Sequence, residues 1–364
     1  MSRNPFKVLE ISPYPPPRAG WGIRVYYLKK ELESQGEICE VLNIGKSRTM
    51  RGRDFIPCFG AWDYIKKVFL YRLRGYLVHM HLNGDSPKGF LLTIAALLIS
   101  ALTFRRAVIT FHAGPVQTYF PKEKAPHLAP MFKLIFKLSR YIICNEEKVK
   151  SNIAAYGVSP SKIYPIQAFS KQYLDFERVP LPPDIEAVFD DHFPVVVSYM
   201  FFRPVYCVED LFRAFRGVLN AYPRAKLLIL GDHRPEDEDL ASYASRCMEL
   251  AHELNIEQAM HFAGDLDHDT FLTVLERGTV FFRTHIVDGV SSSVLEALSL
   301  RVPVVAVDNG IRPPQVFTYR NGDVPEMIRL LCHVIDNNHQ IRKELVPPPI
   351  PDTVSEEIAL LRQA

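Results

Sequence analysis

Side chains able to bind phosphate and sugar hydroxyls are concentrated near position 290 of this 364-residue chain. The segment contains, in order, Arg283, Asp288, Gly289, Ser291, Ser292, Ser293 and Glu296. A turn at a helix start offers free N–H groups and hydroxyls to a phosphate, and a carboxylate such as Glu296 can accept both hydroxyls of a ribose. Asp288 precedes the helix, nearer a transferred group. The segment also fits an ordinary capped helix with an acidic first turn, so both interpretations stay open.

Two glycines, Gly20 and Gly22, lie where a proline-rich loop meets a helical pattern. They would let backbone N–H groups approach an anion, and the helix N-terminus adds partial positive charge. The spacing does not match the GxGxxG of dinucleotide-binding domains, because the loop separates the strand from the first glycine. This segment is either a phosphate contact or a simple loop-to-helix turn.

His112 closes an apolar strand pattern at 107–112. At a strand end it could hydrogen-bond a sugar hydroxyl, donate to developing charge, or be a structural residue. His79 and His81 share one face of another strand, but no third metal ligand is near them in sequence. We therefore predict no metal site there.

Short apolar runs alternate with longer helical patterns, which is typical of parallel sheets with crossover helices. Strands are predicted at 7–12, 38–44, 77–82, 107–112, 141–145, 162–168, 195–200, 226–231, 260–263, 280–284, 304–307 and 316–319. Prolines and acidic residues between 170 and 193 indicate a linker. The fold class is therefore predicted as α/β, with two Rossmann-like doubly wound domains facing a central cleft. We expect domains at 1–172 and 173–345, and a tail helix within 346–364.

Composition excludes several classes of protein. With 43 basic and 41 acidic residues and 11% aromatics, the chain is neither a polycation nor disordered. The six cysteines form no CxxC pair, which favours reduced thiols in a cytoplasmic protein. No apolar secretory segment is evident at the N-terminus. The uncharged segment 89–104 is shorter than the roughly 20 residues of a membrane span, and it predicts a buried helix.

The spacing from Asp288 to Glu296 resembles the E-x7-E element of retaining glycosyltransferases of family 4, with Asp in place of the first Glu. The following residues, EALSLRVPVVAVDNG, resemble that family's continuation, and Gly20, Gly22 and His112 fall where the family has donor contacts. The similarity extends from about residue 6 to about residue 336. It implies a GT-B fold with an N-terminal acceptor domain, a C-terminal nucleotide-sugar domain, and metal-independent transfer with retention, without a cofactor.

The resemblance also implies roles for individual residues. Glu296 would bind ribose, Asp288 the sugar hydroxyls, His112 the sugar or developing charge, and Gly20 with Gly22 the diphosphate.

One departure from the family concerns the phosphate contacts. The family usually has Arg and Lys after the first strand of the second domain, where this chain has Tyr199 and Tyr206. A leaving diphosphate needs positive charge if no metal supplies it. We expect Arg203, Arg283 and the serine turn at 291–293 to share that task.

The run DLDHD at 265–269 contains the DxD spacing that metal-dependent transferases use. It lies at a predicted helix start, where Asp267 is expected to be an N-cap rather than a metal ligand.

Charge is divided between the two halves of the chain. The first 175 residues hold 26 basic and 12 acidic side chains, and the remainder 17 and 29. Eight basic residues lie at 46–74 among aromatic ones, a combination that suits an anionic membrane surface or a lipid-linked acceptor. A solvated basic face that attracts the other domain is the alternative. No nucleic-acid-binding motif accompanies the charge, so no nucleic acid is expected.

The function expected from these observations is a retaining glycosyltransferase that uses a nucleoside diphosphate sugar. Its acceptor would be a saccharide or lipid-linked saccharide in the synthesis of a cell-surface polysaccharide or glycolipid, in the cytoplasm or at the inner face of the membrane. Two alternatives stay open: a sugar-nucleotide 2-epimerase of the same fold, and a non-catalytic binding subunit that has lost the usual Arg and Lys.

Overall fold

The structure, a computed structural model, describes residues 4–15, 20–51, 54–114, 116–231, 238–287 and 291–364. The chain divides into two compact units. The first consists of Met1–Gln172 and Pro351–Ala364, and the second of Tyr173–Ile350.

Six parallel strands form the sheet of the first unit, in the order β2-β1-β3-β4-β5-β6. These strands are β1 (Lys7–Ser12), β2 (Ile38–Asn43), β3 (Leu77–Leu82), β4 (Val108–Phe111), β5 (Ile142–Cys144) and β6 (Ile163–Pro165). The helices between them are α1 (Gly20–Ser34), α2 (Ala61–Leu73), α3 (Pro87–Leu102), α4 (Ala129–Leu138) and α5 (Glu147–Ala154). The six strands predicted for this part of the chain are all present, with ends that differ by a few residues.

The two faces of this sheet differ in chemistry because side chains alternate along each strand. One face is an apolar core that includes Leu9, Val78, Met80, Ile109 and Phe111. The opposite face is polar and equally buried at Glu10, His79, His81 and Thr110. The strand register pairs Glu10 with His79 and His81 with Thr110. Three neighbouring strands therefore place their polar residues side by side.

The second unit has its own parallel sheet, in the order β12-β11-β10-β7-β8-β9. Its strands are β7 (Val195–Tyr199), β8 (Lys226–Leu230), β9 (Met260–Gly264), β10 (Val280–Arg283), β11 (Val304–Val307) and β12 (Phe317–Tyr319). Its helices are α6 (Pro183–Asp191), α7 (Val208–Ala221), α8 (Glu238–Glu253), α9 (His268–Arg277), α10 (Ser292–Ser299), α11 (Val324–Asp336) and α12 (Asn338–Glu344). Separate apolar clusters cover the two faces of this sheet, as expected of parallel strands buried on both sides.

The predicted linker at 170–193 is wrong in its second half, because α6 lies there. Pro183 is the first residue of that helix, a position where its fixed φ and missing N–H are tolerated. Ile185 and Val188 are buried in the core on one face of the second sheet. The prolines therefore start a packed helix.

The last helix, α13 (Thr353–Arg362), belongs to the first unit. Arg24 on α1 donates from Nε to Glu357 Oε2 at 2.6 Å and from Nη1 to Thr353 Oγ1 at 2.8 Å. All three side chains are buried. A fully paired charge couple thus attaches the end of the chain to the helix that follows β1.

Helix α3 is only partly the buried helix that its composition predicted. Phe90, Ala96 and Leu97 face the core, whereas Leu91, Leu98 and Leu102 are exposed. No helix among the described parts of the chain is long and apolar enough to cross a membrane.

Candidate functional site

His112 follows the last residue of β4, at the carboxyl edge of the first sheet. Its Nε2 lies 2.8 Å from His81 Nδ1. The two rings are nearly coplanar, at 16°, with centroids 5.1 Å apart, which is the arrangement of an in-plane hydrogen bond. Trp21, in the first turn of α1, covers a face of the His112 ring at a centroid distance of 5.1 Å and an angle of 25°. His112 is thus held by an edge contact and a face contact.

A chain of hydrogen bonds continues from His81 across the polar face of the sheet. His81 Nε2 is 2.7 Å from Glu10 Oε2, and His79 Nδ1 is 2.8 Å from that same oxygen. His79 Nε2 is 2.8 Å from Thr110 Oγ1, which donates to Glu357 Oε1 at 3.0 Å. The network therefore joins β1, β3 and β4 to α13.

The network separates the pKa values of its members. Burial alone would raise the pKa of Glu10, but pairing with His79 and His81 lowers it to about 2. The pKa of His79 is raised, since its attraction to Glu10 outweighs burial. Burial lowers the pKa of His81, and the neighbouring charge on His79 adds to that shift. The pKa of His112 is well below its ordinary value, chiefly through burial.

The carboxylate and two imidazoles at Glu10, His79 and His81 offer three ligand atoms within 4.8 Å of one another, a set that would suit zinc. The third ligand that sequence spacing did not show is Glu10, on a neighbouring strand. The separations of 2.7 and 2.8 Å are those of hydrogen bonds. Both nitrogens of each ring are engaged in such bonds. The arrangement is therefore that of a hydrogen-bonded network.

Gly20 and Gly22 both lie in the first turn of α1, just beyond β1. A methyl group at Gly22 would approach Pro13 O and Pro15 Cδ to 3.3 Å. Close packing of the helix start against the preceding loop thus accounts for this glycine without a ligand. A diphosphate contact at either glycine stays a prediction.

Arg283 ends β10 in the second unit and is buried. Its Nη1 donates to the carbonyl oxygen of Tyr199 at 2.5 Å, and its Nη2 is 3.2 Å from His285 Nδ1. The guanidinium lies over the ring of Tyr206, 5.3 Å from the centroid. That ring is stacked on His285, with centroids 4.1 Å apart at 7°. Arg283 thus contacts both Tyr199 and Tyr206, the two residues expected at the positions of the family's Arg and Lys.

The serine turn at 291–293 forms the start of α10: Ser291 is the N-cap, and Ser292 and Ser293 are the first two residues of the helix. Ser291 and Ser293 are buried, and their hydroxyl oxygens are 3.2 Å apart. Glu296 is also buried, one turn into the helix. Asp288 and Gly289 lie outside the described residues, so their predicted roles remain predictions.

Arg203 differs from Arg283 in its setting. It is exposed in the loop between β7 and α7, and its guanidinium lies over the ring of Phe201 at 5.9 Å. The structure therefore places two predicted phosphate ligands in different environments, one buried and one at the surface.

Asp267 is the N-cap of α9, as predicted. Its Oδ1 accepts from Thr270 N at 3.0 Å and its Oδ2 from the Thr270 hydroxyl at 2.6 Å. The central part of the DxD run is therefore used to cap a helix.

Two adjacent helices of the first unit carry exposed apolar stripes. On α2 the stripe is formed by Trp62, Ile65, Phe69 and Leu73, and on α3 by Leu91, Leu98 and Leu102. Phe104, directly after α3, is 100% exposed. Arg72 connects the two helices by donating to Thr103 Oγ1 at 2.9 Å. We call this surface the α2/α3 face.

Basic side chains border the α2/α3 face. Lys66 lies on α2, Arg74 directly follows α2, and Arg106 is two residues beyond Phe104; all three are exposed. An apolar stripe bordered by cations is typical of surfaces that lie on anionic membranes.

Comparison with known proteins identifies the class to which the second unit belongs. Residues 185–324 match the family model described as glycosyl transferases group 1, so the second unit carries a domain of that family. An uncharacterized glycosyltransferase of Methanocaldococcus jannaschii is 24% identical over 211 residues, which are 56% of this chain and 48% of that protein. The chain thus corresponds to about half the length of this curated relative.

Solved structures resemble the chain over nearly its whole length. Anabaena HepE in complex with UDP and glucose is 15% identical, with a TM-score of 0.68 over 98% of this chain and 99% of that one. A putative UDP-N-acetylglucosamine 2-epimerase from Listeria monocytogenes is also 15% identical, with a TM-score of 0.62 over 98% and 96%. At such identity the likeness defines the fold. The predicted GT-B fold class is confirmed.

Proposed function

We propose that this protein is a retaining glycosyltransferase that moves a sugar from a nucleoside diphosphate sugar to a hydroxyl of a saccharide or lipid-linked saccharide. The observation that carries the proposal is the group 1 domain, in which β10 ends at the buried Arg283 and the serine turn leads to the buried Glu296. A cation, hydroxyls and a carboxylate at the carboxyl edge of a parallel sheet are the groups that a nucleoside diphosphate requires.

In the proposed reaction the bond between the anomeric carbon and the diphosphate oxygen breaks. A bond from that carbon to the acceptor oxygen forms on the same face, and the acceptor proton passes to the departing diphosphate. Arg283 and the serine turn stabilise the negative charge on that diphosphate. Asp288 and Gly289 belong to this assignment through the family resemblance.

In our proposal, Arg283 stabilises the charge of the diphosphate, as Arg and Lys do in the family. It contacts the backbone of Tyr199 and the ring of Tyr206, which are the two substituted positions. Arg203, exposed in the adjoining loop, contributes less because water screens its charge. This arrangement argues against the alternative of a non-catalytic subunit that has lost its active site. Burying a cation costs free energy, and a loop with a purely structural role would not need one.

Donor binding is tested with nucleoside diphosphates, since HepE was solved with UDP. Thermal unfolding of the full chain is recorded with UDP, GDP and ADP and with their glucose or mannose conjugates. A bound nucleotide raises the unfolding temperature by mass action. We expect one base to stabilise the protein and Arg283→Ala to reduce that shift. A chain that none of these compounds stabilises would not be a transferase of this kind.

Product analysis without an acceptor distinguishes the proposal from a 2-epimerase. An epimerase needs no acceptor and converts the sugar nucleotide to an isomer with the diphosphate still attached. The transferase releases free nucleoside diphosphate, slowly to water and faster to an acceptor.

We further propose that the α2/α3 face binds an anionic membrane. Its large apolar side chains include Trp62, 82% exposed, and Leu102, 77% exposed. Burying such side chains at an interface stabilises the bound state, and each nearby cation adds about 1 kcal/mol on an anionic leaflet. A lipid-linked acceptor would be presented at the same surface.

A further inference from the structure

The bond between His81 and His112 has a direction that the rest of the network determines. In a neutral imidazole one nitrogen donates and the other accepts. Which of these His112 offers from Nδ1 decides whether it accepts from a ligand hydroxyl or donates to a ligand oxygen. Among the residues that the structure describes, none is hydrogen-bonded to Nδ1.

The direction can be derived from the part of the network farthest from His112, which consists of Glu357, Thr110 and His79. The Thr110 hydroxyl donates to Glu357, so its oxygen accepts from His79 Nε2 at 2.8 Å. His79 also faces the Glu10 carboxylate through Nδ1. Since a carboxylate only accepts, His79 donates from both nitrogens and carries a positive charge, in agreement with its raised pKa.

The charge on His79 then determines the protons on His81 and His112. His81 Nε2 lies on the same carboxylate and must also donate. The rings of His79 and His81 are 4.3 Å apart in a buried site, where a second positive charge is unfavourable. His81 is therefore neutral and its Nδ1 accepts. Across the 2.8 Å contact, the proton belongs to His112 Nε2.

The groups that face this network come from four elements, and their charges are balanced. Glu10 on β1 and Glu357 on α13 are negative, and His79 on β3 and Arg24 on α1 are positive. The pKa of Glu357 is lowered: burial opposes this, but attraction to Arg24 prevails. No further proton is needed on His81 or His112.

We propose that Glu10 and His81 are positioning residues that hold His112 as the neutral Nε2–H tautomer, with Nδ1 as a hydrogen-bond acceptor. With a ligand bound, His112 Nδ1 would accept a hydrogen bond from a sugar hydroxyl and would not donate to a negatively charged oxygen. This role rests on the proposed function. Trp21 restrains the plane of the ring, so both the tautomer and the direction of the lone pair are determined before any ligand arrives.

The test reads the tautomer directly. Full-length protein labelled with 15N-histidine is examined by long-range 1H–15N NMR at neutral pH, and the His112 signals are assigned by their loss in His112→Gln. We expect a protonated Nε2 and an unprotonated Nδ1, unchanged as the pH falls toward about 5.5, because the pKa of His112 is well below its ordinary value. A proton on Nδ1, or an imidazolium, would overturn the assignment.

Two variants separate positioning from general stability. His81→Phe keeps an aromatic ring but removes the acceptor, so His112 should become a mixture of both tautomers. Thr93→Val removes a buried threonine hydroxyl that donates to Gly89 O within α3, outside the network, and the His112 tautomer should be unchanged. An unchanged tautomer in folded His81→Phe contradicts the role of His81; should that variant not fold, the wild-type spectrum decides.

The same experiment keeps the two proposals distinct. The wrong tautomer contradicts the inference whether or not nucleotide sugars bind. The expected tautomer in a protein that binds no nucleotide sugar contradicts the proposed function and leaves the assignment of Glu10 and His81 intact.

Discussion

The guanidinium of Arg283 lies over the ring of Tyr206, 5.3 Å from its centroid, and His285 stacks on that ring at 4.1 Å. A cation packed against an aromatic face keeps part of its electrostatic stabilisation while it loses water. This contact explains how the second unit can hold a buried positive charge at the end of β10.

Replacing Arg283 by Ala should weaken nucleoside diphosphate binding by about 10-fold to 100-fold, the effect of losing a charge-assisted hydrogen bond. Isothermal titration with the nucleotide that stabilises the protein measures the change. The matched variant Arg203→Ala removes an exposed arginine in the adjoining loop, and its effect should be smaller. If Arg203→Ala changes neither donor affinity nor turnover, Arg203 has no part in phosphate binding; if Arg283→Ala binds like wild type, the central phosphate contact is misassigned.

Glu296 should recognise the ribose. Glu296→Ala should lose about 10-fold or more in affinity for the ribonucleotide. The decisive comparison is with the 2′-deoxy nucleotide, which should bind wild type more weakly than the ribonucleotide but bind the variant equally well. Equal binding of both nucleotides to wild-type protein would show that Glu296 does not contact that hydroxyl.

The buried pair of Arg24 and Glu357 should dominate the attachment of α13. Glu357→Gln leaves Arg24 buried without its counter-charge and should reduce the free energy of unfolding by about 3 to 5 kcal/mol. Urea unfolding at neutral pH measures this. Glu356→Gln, one position earlier and exposed, should differ from wild type by less than about 0.5 kcal/mol. A similar loss in both variants would mean that the pair contributes little.

Acid should remove the stability that the buried carboxylates supply. The pKa of Glu357 is lowered and that of Glu10 is lowered to about 2, whereas an unfolded Glu titrates near about 4.3. Their contribution is therefore complete above about pH 4.3 and is lost as the pH falls through the folded values. The difference in unfolding free energy between wild type and Glu357→Gln should shrink over that interval, and a constant difference would contradict the lowered pKa.

Membrane binding should depend on the α2/α3 face. The double variant Trp62→Ser, Leu102→Ser should reduce co-sedimentation with phosphatidylglycerol-containing vesicles at least 10-fold, since each buried apolar side chain contributes about 2 kcal/mol. Ile311→Ser removes an exposed apolar side chain from the second unit and should have no effect. Equal binding to neutral and anionic vesicles would show that the basic residues near the α2/α3 face do not contribute to membrane binding.

Strand positions could be predicted because each strand is a short apolar run between turn residues, as at 195–200 and 304–307. The polar network could not be predicted in the same way. Alternation along β3 places His79 and His81 on one face, but only the order of strands brings Glu10 beside them. Arg24 and Glu357 are 333 residues apart, so nothing local connects them. Polar residues two apart along the chain, as at His79 and His81 in β3 or at Thr110 and His112 at the end of β4, were the available signal.

Local rules also had limits in the second unit. Pro183 is compatible with a linker or with the first position of a helix, and only the burial of Ile185 and Val188 decides between them. Arg283 was visible in the sequence as a charged residue at a strand end. Its contact with Tyr206 depends on how two strands and their loops pack, which spacing along the chain does not describe.

The most direct measurement of the central claim is a product assay on the purified chain with a panel of UDP-, GDP- and ADP-sugars, with and without saccharide acceptors, followed by mass spectrometry and NMR. We predict that one sugar nucleotide is consumed with release of its nucleoside diphosphate, that the new glycosidic bond retains the anomeric configuration of the donor, and that Arg283→Ala and Asp288→Ala lower the rate. Conversion of a sugar nucleotide to an isomer without diphosphate release, or full transfer by Asp288→Ala, would contradict the account.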